Sequence, residues 1–150
     1  MTMTSRRDRD AASYLDIALA IADYGAPRWI RSDLAQLFRR AAFNVLASHR
    51  DDHLRNHGFL RTADGWRLAP AFDLNPVPGK PEHELSLEGA IHRGDLEVLR
   101  ETAGFYRLSG LEAAVTIDEV RAALGAWRDV VRGMNLGAAE IDVLEDAIAV

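Results

Sequence analysis

The stretch "SHRDDHLRNHGFL", residues 48–60, does most to limit what this chain can fold into. It holds three of the five histidines, two aspartates, an asparagine and a glycine. Helix is disfavoured at Arg50-Asp51-Asp52 and again at His57-Gly58. Aspartate and asparagine bond nearby backbone groups in other conformations, and glycine costs too much entropy. Whatever periodic structure lies on either side must be interrupted here.

On the N-terminal side, Leu15, Leu19 and Ile21 predict a helix over residues 11–24, closed by Gly25. Leu34, Phe38, Ala41 and Val45 predict a second, from about Pro27 or Ser32 to Ser48. Residues 1–10, "MTMTSRRDRD", are expected to form a charged, mobile tail, leaving 11–150 as one domain. On the C-terminal side, Phe59-Leu60 and Trp66-Leu68 flank Asp64-Gly65, the signature of a tight hairpin. Residues 69–83 contain four prolines and one glycine and are expected as a loop, followed by a short strand in "ELSLEG".

The last third is helical in pattern. Asp95 is placed to cap a helix running to about Ala103 and ended by Gly104. Thr116 and Glu119 have the spacing of a capping box, ahead of an apolar stripe of Val120, Leu124, Trp127 and Val131. A final helix is expected over 138–149. The fold class is mainly α with one small β-hairpin, with Trp66 and Trp127 in the core.

Composition narrows the function. The net charge of −5 argues against an electrostatic hold on nucleic acid. There is no cysteine, hence no disulfide and no thiolate metal site, which fits a cytoplasmic protein. The best apolar run, "YLDIALAIADY", is short, carries Asp16 and Asp23, and cannot span a bilayer. Of eighteen basic residues seventeen are arginine, and the only lysine is Lys80.

Three kinds of chemistry suit the polar stretch. His49, His53 and His57 recur every four residues, a spacing that suits zinc on a helix and hence a metal-dependent hydrolase, but H-E-x-x-H is absent. A solvated turn is the plain alternative, because such turns collect Asp, Asn and His. The third is ordered: His49-Arg50-Asp51 with Asn56 spells H-R-D-x-x-x-x-N, the pattern of a kinase catalytic loop. Phosphoryl transfer needs an aspartate at the substrate hydroxyl, an asparagine oxygen on magnesium, and a second carboxylate from beyond a short hairpin. Asp73, in "LAPAFDLNP", lies beyond the predicted hairpin.

"FNVLASHRDDHLRNHGFL" followed by "GWRLAPAFDLNP" resembles the C-terminal lobe of HipA-type toxins, bacterial serine/threonine kinases of toxin–antitoxin modules. Phe43, Asn44 and Leu46 match the first part of the family pattern. Asp51, Asp52, His53, Arg55 and Asn56 match the second, and Trp66, Leu68, Pro70, Phe72 and Asp73 the third. The resemblance covers about residues 11–148 and implies a kinase-like C-terminal lobe working with Mg2+ and ATP. It implies Asp51 as catalytic base, Asn56 and Asp73 as magnesium ligands, and His53 near the nucleotide. Asp52 and Arg55 match the pattern without a role. For partners it implies a protein substrate, aminoacyl-tRNA synthetases among them, and a DNA-binding antitoxin.

The family's phosphate loop and ATP lysine have no counterpart here. No G-x-G-x-x-G or Walker pattern occurs, and no lysine precedes Asp51. The chain alone is therefore expected to be an incomplete enzyme, inactive by itself and binding Mg2+ and ATP weakly or not at all. It is a fragment of a longer kinase, a shortened product, or one half of a site whose N-lobe comes from another chain. A catalytically silent, partner-binding remnant is the competing expectation.

Overall fold

A computed structural model of the protein describes residues 12–77, 79–89 and 91–148. The expected tail at residues 1–10 lies outside them. Among the described residues the chain is mainly helical with one two-stranded antiparallel hairpin. Helix α1 (Tyr14–Tyr24) starts at a capping box, in which Ser13 and Asp16 satisfy each other's backbone N–H groups. Its inner face, Tyr14, Ile17, Ala18 and Ile21, is fully buried. Helix α2 (Ile30–Leu46) is the central element: Leu34, Leu37, Phe38, Ala41 and Ala42 have no exposed surface.

Strands β1 (Phe59–Thr62) and β2 (Gly65–Leu68) pair with Thr62 opposite Gly65, so the hairpin lies where the sequence predicts, its turn made by Ala63-Asp64 and Gly65 opening β2. The hairpin is docked by polar groups of α2. Asp33, buried, accepts hydrogen bonds from the Leu68 N–H at 2.9 Å and the Arg67 guanidinium at 3.2 Å. Arg40, also buried, donates to the Ala69 carbonyl. The Arg67 guanidinium lies 3.7 Å from the centre of the Trp29 ring, in cation–π range.

Two of the remaining helices also pack on α2. Helix α3 (Leu96–Glu101), capped by Asp95 as expected, leads into a 3-10 segment (Thr102–Tyr106) whose Tyr106 ring packs edge-on against Phe38 at 5.3 Å. Helices α4 (Gly110–Gly125), α5 (Trp127–Val131) and α6 (Ala138–Ala147) follow. Among the described residues no helix is long and apolar enough to cross a membrane.

Four local expectations are corrected. The helix after Asp95 does not stop at Gly104, because the chain tightens into the 3-10 segment through it. The capping box of α4 is Ser109 with Glu112, about two turns before the expected Thr116 and Glu119. Thr116 is inside the helix, its hydroxyl donating to the Glu112 carbonyl. Residues 85–88 form no strand; Ser86 and Glu88 make isolated bridges, Ser86 to Ser13 and Glu88 to Ile91. Trp66 is only half-buried, under the Arg61 guanidinium, whereas Trp127 is buried as expected.

Gly65 has a reason beyond the turn. The Ala26 N–H donates to the Trp66 carbonyl at 2.8 Å, which brings the α1–α2 linker onto the hairpin. A Cβ at Gly65 would lie 2.6 Å from the Ala26 backbone, at a φ of +154°. Gly65→Ala is expected to cost about 2 kcal/mol or more, read as a fall in Tm, since the contact is with backbone and cannot yield by a rotamer change.

Candidate active site

The polar stretch leaves α2 through Ala47 and a left-handed Ser48 (φ 49°). Its path is then fixed by backbone bonds to a distant segment. The Arg50 carbonyl accepts from the Glu84 N–H at 3.1 Å, and the Asp52 carbonyl from the Leu85 N–H at 3.2 Å. A short 3-10 turn (Leu54–Asn56) follows and feeds β1.

Beneath this path is a buried carboxylate. Asp52 Oδ2 accepts hydrogen bonds from the Tyr14 hydroxyl at 2.5 Å, Asn44 Nδ2 at 2.8 Å and His57 Nε2 at 2.9 Å. Asn44 Nδ2 also donates to the Tyr14 oxygen at 2.8 Å. All four side chains are buried. Burial alone would raise the Asp52 carboxyl, but the His57 hydrogen bond and charge, with the Tyr14 hydroxyl, hold it below the ordinary aspartate value. Tyr14 is raised well above the usual phenol, by burial first and then by the charge of Asp52, so it remains a donor. The sequence offered Asp52 and Asn44 only a place in the family pattern, and His57 a place in the histidine spacing. The structure makes the three, with Tyr14, one internal network.

Asp51 points the other way. Its side chain is 60% exposed, and Oδ1 accepts from Lys80 Nζ at 2.8 Å. That hydrogen bond, and then the ammonium charge, outweigh burial and keep the Asp51 carboxyl below its ordinary value. Asp51 and Asp52 are neighbours with opposite duties: the buried one fixes the turn and the exposed one is displayed by it.

The loop bearing Asp73 is tied to the same turn. His49 Nδ1 donates to the Asn75 carbonyl at 2.6 Å, and the Val77 N–H donates to the Ser48 carbonyl at 2.9 Å. His49 is 2% exposed, so this bond is shielded from water. Asp73 itself is exposed in a left-handed conformation (φ 56°), which aspartate tolerates better than most residues, and Oδ1 accepts from Asn75 Nδ2 at 2.8 Å. Asn56 is buried and its Nδ2 has no hydrogen-bond partner among the described residues; the same holds for the buried Nδ1 of half-buried His53. Asp51 and Asp73 are thus both open to solvent, on two loops laced together within two residues of each.

The histidines do not form the zinc arrangement their spacing suggests. They lie on a turn rather than a helix, and His49 and His57 are bound to Asn75 and Asp52. Among the described residues no group of three or more His, Asp or Glu side chains is arranged to hold a metal ion. By ligand type, the oxygens of Asn56 and Asp73 would suit a hard cation such as magnesium rather than zinc.

A model of the HipA-like C-terminal domain matches residues 1–128. The chain belongs to this family. No curated protein matches it. The HipA-like match takes in α1, α2, the polar turn, the hairpin, the Asp73 loop and α4. It ends at Arg128, short of the 148 implied by resemblance alone, so α6 lies beyond it.

Removing the buried carboxylate strands three donors. Asp52→Ala is expected to destabilise the HipA-like domain by about 3–5 kcal/mol, and Tyr14→Phe by about 1–2 kcal/mol, measured by urea unfolding. A second effect depends on pH. His83 is buried, and that burial, with the nearby Arg50 charge, lowers its pKa from 6.5 to about 4. Between those values the unfolded chain binds the proton and the folded one does not. Stability is therefore full above pH 6.5 and falls as the pH drops toward 4, by up to about 3 kcal/mol. The contribution of Asp52, with its depressed pKa, is lost only below that window. His83→Gln should flatten the Tm profile between pH 6.5 and 4 while leaving the steeper acid limb.

Proposed function

We propose that this domain is the catalytic-loop half of a serine/threonine kinase site that uses Mg-ATP. The observation that carries the proposal is the lacing of two exposed carboxylates. Asp51 sits on a turn fixed from below by Asp52, and Asp73 sits on a loop held to that turn through His49–Asn75 and Ser48–Val77. In this scheme Asp51 accepts the proton of a substrate hydroxyl and is ionised for the task, its pKa being depressed. Asn56, through its amide oxygen, and Asp73 hold magnesium, and His53 lines the approach to the nucleotide. Bound there, the ion supplies charge neutralisation for the phosphoryl oxygens. The residues of the chain supply the hydroxyl's proton acceptor and the rigid spacing between acceptor and ion.

The glycine-rich loop and the lysine that such chemistry also requires have no counterpart upstream of Asp51 in these 150 residues. The scheme therefore includes a second lobe, joined to this one or supplied by another chain. A protein substrate, a DNA-binding antitoxin partner and a cytoplasmic setting belong to the same proposal, on family resemblance. The alternative, a catalytically silent partner-binding module, is favoured by the missing phosphate loop, and the same experiment separates the two.

Calorimetric titration of the chain with Mg-ATP is expected to show weak binding that Asp73→Asn abolishes, with the fold unchanged by circular dichroism. No binding at millimolar nucleotide would favour the silent module. In a complete kinase containing this lobe, Asp51→Asn should lower phosphate transfer by about 10²- to 10⁴-fold. Undiminished transfer would remove Asp51 from the role.

A further inference from the structure

Lys80 is the only lysine in the chain, and it sits on the candidate base. Its Nζ donates to Asp51 Oδ1 at 2.8 Å and to Glu84 Oε1 at 2.5 Å. Its backbone is anchored beside the polar turn. The Arg50 guanidinium donates to the Lys80 carbonyl, the Lys80 N–H donates to the Val77 carbonyl at 3.3 Å, and Val77 is bound to Ser48. Only the four-carbon stem is left to move. The pair with Asp51 is too exposed to matter greatly for stability.

We propose that Lys80 is a phosphate-binding residue of this site, which leaves Asp51 for the terminal phosphoryl group of a nucleoside triphosphate when nucleotide enters. The inference rests on the kinase proposal above. Three points support it. The first is distance. A hydroxyl oxygen hydrogen-bonded to Asp51 lies about 2.7 Å from the carboxylate. The phosphorus it attacks lies roughly 3–3.5 Å further on. Phosphoryl oxygens at that point are within the swing of an ammonium that already touches the same carboxylate. The second is valence: an ammonium has three donors, of which the two carboxylates take two. The third is residue type. In a chain otherwise basic only through arginine, the group at Asp51 is a compact point charge. An arginine there would grip the carboxylate with two parallel bonds and hold the base shut, whereas an ammonium can exchange partners. Once the ammonium moves to phosphate, Asp51 loses its main acidifying contact and becomes the stronger proton acceptor.

The single lysine makes the test specific. An acyl phosphate ester of ATP, with magnesium, presents an acyl group on the terminal phosphate. The unprotonated Lys80 nitrogen attacks the acyl carbon; the new N–C bond forms as the acyl C–O bond to phosphate breaks. ATP departs and the amine proton passes to solvent. Peptide mass spectrometry should find Lys80 acylated at least about 10²-fold faster than by acetyl phosphate at equal concentration, because binding raises the effective concentration of the reagent. Excess Mg-ATP should protect it and Asp73→Asn should abolish the advantage. In parallel calorimetry, Lys80→Ala should weaken Mg-ATP binding roughly tenfold, as the loss of one charge-assisted hydrogen bond implies. Unchanged or tighter binding by Lys80→Ala, or labelling no faster than with acetyl phosphate, overturns the assignment of Lys80. If Mg-ATP still binds in an Asp73-dependent way, the kinase proposal survives that result. Absence of nucleotide binding in both assays overturns the two together.

Discussion

A single buried oxygen, Oδ2 of Asp52, organises the polar turn. Three donors from α1, α2 and the turn itself converge on it, and none of the four side chains has more than a few per cent of its surface in water. A carboxylate in such a place is expensive unless it is paired and hydrogen-bonded. Here it accepts three hydrogen bonds, one of them from His57 only five residues away. The cost of leaving any of these groups unpaired makes the turn a defined shape rather than a flexible connection. Asp51, the next residue, inherits that definition while remaining in solvent.

The Asp73 loop is governed from α2 as well. Asp33 takes the last N–H of β2 and Arg40 takes the carbonyl one residue later, so the hairpin leaves in a fixed direction. His49 and Ser48 then catch the loop at Asn75 and Val77. One helix therefore steers both exposed carboxylates, through Asn44 below the turn and through Asp33 and Arg40 under the hairpin. That economy explains why a mainly helical domain keeps one small hairpin: the strands set the distance at which the second loop returns.

Much of this is legible in the sequence. The helical spacing of residues 15–21 and 34–45 and the Asp64-Gly65 turn give α1, α2 and the hairpin within a few residues of their ends. The α4 cap was hidden because Ser109-Gly110-Leu111-Glu112 contains a glycine that reads as a stop, whereas Ser109 and Glu112 together outweigh it. The Asp52 network had no local signal, since Tyr14 lies 38 positions away and periodicity reports only which face is buried. Lys80 was misleading in a different manner. In chain order it follows Asp73 and looks remote from Asp51, yet the proline loop returns it to the same carboxylate. Motif order singled out the residues proposed to carry chemistry; the contacts that hold them are long-range and nonrepeating.

Tyr14 gives the first turn of α1 an unexpected reach. The backbone just ahead of it is bound to the segment that borders the polar turn, through Ser86 N–H to the Ala12 carbonyl at 3.1 Å and Tyr14 N–H to the Ser86 carbonyl at 3.0 Å. Its ring also stands edge-on to His57 at 5.8 Å. A pull on the chain at this entry point is therefore delivered, through one phenol, to the carboxylate under Asp51. The first turn of α1 and the polar turn are thus coupled across about one side chain.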